Sequence, residues 1–318
     1  MLRILRSGGK ALETAPEPLG DWRLPEDAVW IDLYKPTLEQ ERRVEGALGL
    51  SLPTREDMVE IEASSRLYQE DGATFTTANL LCNSEGDLPT NEPVTFVLAG
   101  ERLVTIRYAE PRSFPLYEAQ LERQDCATGL SVLLGLLDVI VDRSADILEK
   151  IGGEVEAMSH EIFGGRRAGG FRPILQRLGR AQHVNGKLRD SLVTLGRMTG
   201  FVQLDPRVEN DREAKGHLKS LARDLSSITD HATYVSSQAV FLLDAALGQI
   251  NIEQNDIIKI FSVAAVAFLP PTLIASIYGM NFHHMPELDW RVGYPLALGA
   301  MVLSAAIPLW WFKRKGWL

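Results

Sequence analysis

Apolar and polar residues follow two regimes along this 318-residue chain. In the first part the apolar runs are short, β-branched or aromatic, and bounded by Gly, Pro, Asn or charge, at residues 29–33, 75–81, 94–98 and 103–108. That pattern predicts strands. Gly100 and Glu101 mark a tight hairpin between the last two, and Thr37 is placed to cap a helix through about Leu48. Strands that cluster and then stop predict a small sheet flanked by helices, a mixed α/β domain over residues 1–127. Past Thr128 the strand signal ends. Residues 130–163 and 173–199 read as a helical hairpin joined by the glycine-rich run 164–170. That run lacks the GxxxxGK[ST] order and follows a helix rather than a strand, so it reads as a connection and not a phosphate loop. From about Asn210, the residues Leu218, Leu221, Leu225, Ile228, Val235, Leu242, Leu243, Leu247 and Ile250 keep a near-heptad period, and no proline intervenes before Pro270. One helix of roughly 70 residues, about 100 Å at 1.5 Å per residue, is expected to run on into the next apolar stretch. A break near Gly248 is the alternative.

Two long apolar runs close the sequence: nineteen uncharged residues over 260–278 and twenty-one over 292–312. Each suffices to cross a hydrocarbon core of roughly 30 Å as a helix; a buried soluble hairpin is the rival reading. The flanks favour spans, at about 257–278 and about 292–312. Tyr278, Trp290 and Tyr294 suit one interface, Trp310 and Trp311 the other, and Lys313-Arg314-Lys315 follows. The positive-inside rule then puts the C-terminus in the cytoplasm, the N-terminal body with it, and the short turn outside. Met1–Arg6 lacks the apolar core of a signal peptide, in keeping with a cytosolic body. The expected organisation is therefore 1–127, a sheet domain; 128–256, a helical hairpin and stalk; and 257–318, a two-span membrane domain.

The first span is more than an anchor needs. Asn255, Ile258, Ser262, Ala265, Leu269, Thr272 and Ser276 recur at three- and four-residue steps and so share one helix face, small polar groups alternating with apolar ones and no formal charge. Ser262 or Ser276 alone would be explained by a hydrogen bond to a neighbouring helix. Pro270-Pro271 removes two donors and frees the carbonyls of Val266 and Ala267, which is tolerated where protein or water satisfies them again. One helix cannot enclose a pore, so a water-lined face implies several copies around an axis.

Overall composition, at mean hydropathy −0.04, hides an uneven charge distribution. Residues 257–318 carry five basic and two acidic side chains, net +3, against −12 for residues 1–256. An acidic body excludes nucleic acid as a natural partner and is compatible with cations, although most such carboxylates are solvated surface. Cys82 and Cys126 are far apart and outside CxxC spacing, so neither a zinc site nor a disulfide framework is indicated. There is no HExxH, GxSxG or dinucleotide fingerprint, and no enzyme or organic cofactor is expected. His283-His284 with Glu287 suggests a transition metal, but adjacent loop histidines do not readily make a closed tetrahedral set, and a surface or first-contact role fits better.

The stretches Ile250–Asn255, Ile257–Val263, Phe268-Leu269-Pro270-Pro271-Thr272, Tyr278-Gly279-Met280-Asn281-Phe282, Met285-Pro286-Glu287-Leu288 and the ending Phe312–Leu318 together closely resemble the CorA family of bacterial magnesium and cobalt transport proteins. Gly-Met-Asn between two terminal spans, followed by Met-Pro-Glu-Leu and a basic Trp-Leu tail, is specific. Residues 53–56, 60–62 and 65–68 resemble the family's N-terminal domain less specifically. The resemblance implies a funnel-shaped homopentamer in the bacterial inner membrane, with the first span of each subunit around the pore and Gly279, Met280 and Asn281 at its outer mouth as selectivity filter. It also implies that Asn255, Ile258, Leu269 and Thr272 face the axis, the stripe that periodicity picks out together with Ser262. Regulatory Mg²⁺ bound by Asp residues between cytosolic domains would favour the closed state, with Asp224 and Asp230 as candidates.

Mg²⁺ prefers octahedral oxygen coordination and dehydrates reluctantly. Asn281 amide oxygens and Gly279 carbonyls suit an ion that keeps its water, since neutral dipoles attract without trapping. Glu287, with Asp289, would raise the local cation concentration at the mouth. Rings of Ile258 and Leu269 would close the path by excluding water. The expected function is gated Mg²⁺ influx through a homo-oligomer in lipid, with Co²⁺ and Ni²⁺ also passing. The rivals are the same fold with Co²⁺, Ni²⁺ or Zn²⁺ as main ion, and a membrane-tethered sensor or scaffold that conducts nothing.

Overall fold

The central strand of the first unit, β3 (Ala28–Tyr34), is buried at six of its seven positions although it carries Asp32. β3 sits inside the sheet, between β1 (Leu2–Arg6) and β7 (Arg102–Arg107), and both its faces are covered: Ile31 and Leu33 enter a core cluster on one, and Trp30 packs on Phe114 and Tyr117 on the other. The computed structural model describes residues 1–60, 62–86, 88–121, 126–164, 170–283 and 285–316. Two units make up the chain, Met1–Leu243 and Asp244–Leu318. Among the described residues seven strands form one sheet; the others are β2 (Glu13–Thr14), β4 (Leu67–Glu70), β5 (Ala73–Cys82) and β6 (Thr90–Ala99), in the order β2-β1-β3-β7-β6-β5-β4. Only the β3–β7 pair is parallel. The sheet is thus larger than the short apolar runs predict, because β1, β2 and β4 carry too much charge or too few residues to announce themselves.

The expected turns and caps are present. Gly100, at φ +57°, closes the β6–β7 hairpin with Ala99 paired to Arg102. Helix α1 (Leu38–Leu48) starts at Thr37, whose hydroxyl accepts from Gln40 N while the Gln40 side chain accepts from Thr37 N, a reciprocal capping box. Short helices α2 (Arg55–Val59) and α3 (Ala63–Arg66) precede β4, and α4 (Ser113–Glu118) follows β7. One side of the sheet closes over Phe75, Val97, Val104 and Ile106.

The helical hairpin is α5 (Gly129–Phe163) and α6 (Arg172–Val202), within a residue or three of the sequence expectation. Most of the glycine-rich run, residues 165–169, lies outside the described residues, as do Ile61, His284, Trp317 and Leu318. A Cβ on Gly129 would sit 2.2 Å from Leu103 N, so only glycine lets α5 start this close to β7. Helix α7 (Pro206–Glu209) is capped by the buried Asp205, which also accepts from Thr74 Oγ1 at 2.6 Å and so ties this corner to β5.

Helix α8 (Arg212–Tyr278) is unbroken over 67 residues, through Gly248 and through Pro270 and Pro271. Asp211 Oδ1 caps it, accepting from Glu213 N and Ala214 N at 2.9 and 3.0 Å. Leu218, Leu221, Leu225, Val235 and Leu242 of the near-heptad set are buried, whereas Leu243 and Leu247 are exposed. The paired prolines cost two backbone bonds without ending the helix. A 3₁₀ turn (Pro286–Asp289) and helix α9 (Gly293–Arg314) complete the second unit. Both α8 and α9 are long and apolar enough to cross a membrane.

Candidate functional site

On the apolar part of α8, Val263 is the buried position, and Val266, Ala267, Pro270 and Ile274 on the same face are partly covered. At 100° per residue, Ile258, Ala265, Leu269, Thr272 and Ser276 of the stripe fall on the opposite side and are all exposed; Asn255 and Ser262 lie at its edge, the first exposed and the second half-buried. Ile258 and Leu269 are 60% and 66% exposed, high for apolar side chains in a well-packed unit. Thr272 donates from Oγ1 to the Phe268 carbonyl at 2.7 Å, which turns its hydroxyl along its own helix and leaves its lone pairs as acceptors. The near edge carries one ion pair, Lys259 Nζ to Asp256 Oδ1 at 3.0 Å, so the helix enters the stripe without a free charge at that point.

The helix ends where the turn begins. Gly279 N donates to Ala275 O at 2.9 Å and Met280 N to Ile277 O at 3.3 Å, and no intrahelical bond follows. Gly279, Met280 and Asn281 therefore hang off the C-terminal end of α8, the end whose unpaired carbonyls carry partial negative charge and attract cations. All three are exposed. A Cβ on Gly279 would lie 3.1 Å from Ala275 O, which leaves little room for any other residue. Glu287 and Asp289 are exposed on the 3₁₀ turn. The turn returns closely on α9: a Cβ on Gly293 would meet Glu287 O at 2.5 Å. Gly293 is a requirement the sequence reading missed, since it follows from a contact six residues back that no periodicity reports. Likewise Pro308 lies inside α9 without breaking it.

His283 is exposed, and among the described residues no three His, Cys, Asp or Glu side chains come together in a metal-holding group, there or elsewhere. Asp224 and Asp230 are both exposed on α8 within the first unit. Asp224 is one of the charges that hold the Asp142 carboxyl of α5 above its usual range: burial first, then the neighbouring carboxylates of Asp138, Asp146 and Asp224. Asp138 is engaged by His217 Nε2 at 2.8 Å. The α5 side of this acidic face, Asp138, Asp142 and Asp146, had no signal in the sequence beyond its four-residue spacing.

Two apolar helices joined by a short Gly-Met-Asn turn, after an α/β body with a long helix, define a two-span membrane protein. Comparisons with known proteins agree on that class. Residues 25–314 match the family described as CorA-like Mg²⁺ transporter protein, and the chain belongs to that family. The magnesium transport proteins CorA of Pasteurella multocida (strain Pm70) and Escherichia coli (strain K12) are each 37% identical over 294 residues, covering 92% of this chain and 92% of the relative. Among solved structures, the complete CorA magnesium transporter of Methanocaldococcus jannaschii superposes with a TM-score of 0.76 at 21% identity, over 94% of both chains. The full-length CmaX protein follows at 0.74 and 16%, over 98% of this chain and 96% of that one. At those identities the structural likenesses speak for the fold: mixed sheet, long helix and two C-terminal apolar helices.

Proposed function

We propose that this chain carries Mg²⁺ across the bacterial inner membrane as a gated, funnel-shaped homo-oligomeric channel, five copies surrounding one path. The observation that carries the reading is the uncharged stripe on the uncovered side of α8, which leads to Asn281 at the helix's negative end. Asn255, Ile258, Ser262, Leu269 and Thr272 line the path, with Gly279, Met280 and Asn281 as its outer filter. Amide and carbonyl oxygens at the filter suit an ion that crosses with water still attached, and Glu287 concentrates cations outside. The magnesium-transport names of the 37%-identical relatives support the same ion. In this reading residues 1–127 and 128–256 are cytosolic, residues 257–318 form the membrane domain, and both termini face the cytoplasm.

The stripe has no Cys, His or carboxylate, which disfavours a dedicated soft-metal site. Co²⁺ and Ni²⁺ pass as hydrated ions of similar size, as secondary substrates. Regulation falls to Mg²⁺ at Asp224 and Asp230, whose oxygen donors fit the ion. Since these side chains do not form a metal-holding group among the described residues of one chain, a neighbouring copy supplies the remaining ligands.

Purified protein in liposomes with a trapped Mg²⁺-sensitive dye tests the proposal. Mg²⁺ influx that falls at least about tenfold with Asn281→Ala is expected. Influx unchanged by that variant would refute the filter assignment, and none in the wild type would favour a tethered sensor.

A further inference from the structure

Glu85, on the loop between β5 and β6, has its carboxylate held by two arginines from separate elements. Arg112, which precedes α4, donates from Nη1 to Glu85 Oε2 at 2.6 Å, and Arg143 of α5 donates from Nη2 to Oε1 at 3.0 Å. Arg180 of α6 donates to the main-chain carbonyls of Glu85 and Gly86 at 3.0 and 2.9 Å, so the loop is pinned independently of its carboxylate. The hydrogen bond from Arg112, then that from Arg143, hold the Glu85 carboxyl below the usual carboxylate range.

The arrangement stands at the edge of a cavity of about 520 Å³ between that loop, α4 and α5. Leu80, Ile140 and Ile147 form an apolar wall, and Ser84 and Ser113 also line the cavity. Such a volume falls in the range of about 300–1,000 Å³ typical of small-molecule sites, and an apolar wall with a few convergent polar groups is their usual make-up. Arg143 is mostly buried, and its Nε finds no hydrogen-bond partner among the described residues. Glu85 meets Arg143 through one nitrogen only and leaves that donor unmet. A phosphate, with three oxygens in place of two, can accept from Arg112 and from both Nε and Nη2 of Arg143.

We propose that this cavity binds a nucleoside monophosphate-like metabolite, its phosphate on Arg112 and Arg143 and its apolar portion against Leu80, Ile140 and Ile147, with the Glu85 carboxylate as the tethered group it displaces. Glu110 also lines the cavity, and its negative charge favours a single phosphate over a polyphosphate. Inorganic phosphate alone would satisfy the arginines and leave the apolar wall unfilled. The proposal is independent of ion conduction, and binding is its readout.

Titration calorimetry on the full-length protein in detergent, with AMP, adenosine and inorganic phosphate as probes, tests it. AMP is expected to bind and adenosine to fail at the same concentrations. Glu85→Gln, which removes the competing charge, is expected to tighten AMP about tenfold, and Arg143→Gln to weaken it by as much. Arg112→Gln, at a position 62% exposed, is expected to weaken AMP as well. Absence of AMP binding in both wild type and Glu85→Gln at millimolar concentration would overturn the site, as would binding indifferent to Arg112→Gln and Arg143→Gln. Phosphate that binds as tightly as AMP would overturn the nucleotide part.

Discussion

Asp32 and Arg107 meet at zero exposure between the parallel strands β3 and β7, joined by Nε to Oδ1 and Nη2 to Oδ2, each at 3.0 Å. Arg3 of β1 reaches the same carboxylate from the other side at 2.7 Å, and Thr105 Oγ1 donates to it at 2.8 Å. One carboxylate therefore joins three adjacent strands, and its loss leaves a buried guanidinium without a counter-charge. Asp32→Ala is expected to cost about 3–5 kcal/mol. Thermal melting of the purified full-length protein checks this; a drop of about 10 °C is the expected scale.

Asp205 gives a pH dependence with a definite sign. Burial pushes its carboxyl up, but hydrogen bonds from Arg207 and Thr74 and the Arg207 charge outweigh this, and the net direction is down. A carboxyl that is more acidic folded than unfolded contributes stability above the ordinary Asp value of about 3.9 and loses it as pH falls through the lower folded value. Asp205→Asn should therefore melt earlier than wild type at pH 7, and the two should converge as the solution is acidified below about pH 4. A difference that persists undiminished at low pH would assign the effect to packing.

The return of the 3₁₀ turn onto α9 leaves no room at Gly293, where a Cβ would lie 2.5 Å from Glu287 O. Gly299, on the same helix, has nothing within 4 Å of its would-be Cβ. Gly293→Ala is expected to displace Glu287 and lower Mg²⁺ influx in liposomes several-fold, with Gly299→Ala close to wild type. Equal behaviour of the two variants would mean that the turn's position is immaterial to conduction.

Leu269, if it closes the path by excluding water, has a role opposite in sign to that of Asn281. Leu269→Asn should raise Mg²⁺ influx at high internal Mg²⁺, where the proposed regulation closes the wild type, while Asn281→Ala lowers it under all conditions. Dye-loaded liposomes prepared at two internal Mg²⁺ concentrations separate the two effects.

Much of this was visible in the sequence, and the rest was hidden for physical reasons. Helices α5, α6 and α8 announced themselves because a 3.6-residue period sustained over thirty residues or more has no other reading. Strands β5 to β7 did so through β-branched runs and Gly100. Strand β1, Leu-Arg-Ile-Leu-Arg, did not, because Arg3 is tolerated there only through carboxylates far along the chain, Asp32, 29 residues on, and Glu118. The parallel β3–β7 pairing was equally hidden, since nothing local specifies a partner more than seventy residues away. In the membrane unit the stripe was legible as a period and the turn as a motif. The contacts that fix their surroundings, Gly293 on Glu287 and the burial of Val263, depend on how the chain folds back and leave no mark in the pattern.

The position of the stripe on the side of α8 away from Val263 also has a genetic consequence. If each copy contributes that face to a shared path, a fault in one copy is imposed on its normal neighbours. Alleles altered at Asn281 or in the stripe should then be dominant over a wild-type allele in the same cell, whereas alleles that merely unfold the sheet, such as Asp32→Ala, should be recessive.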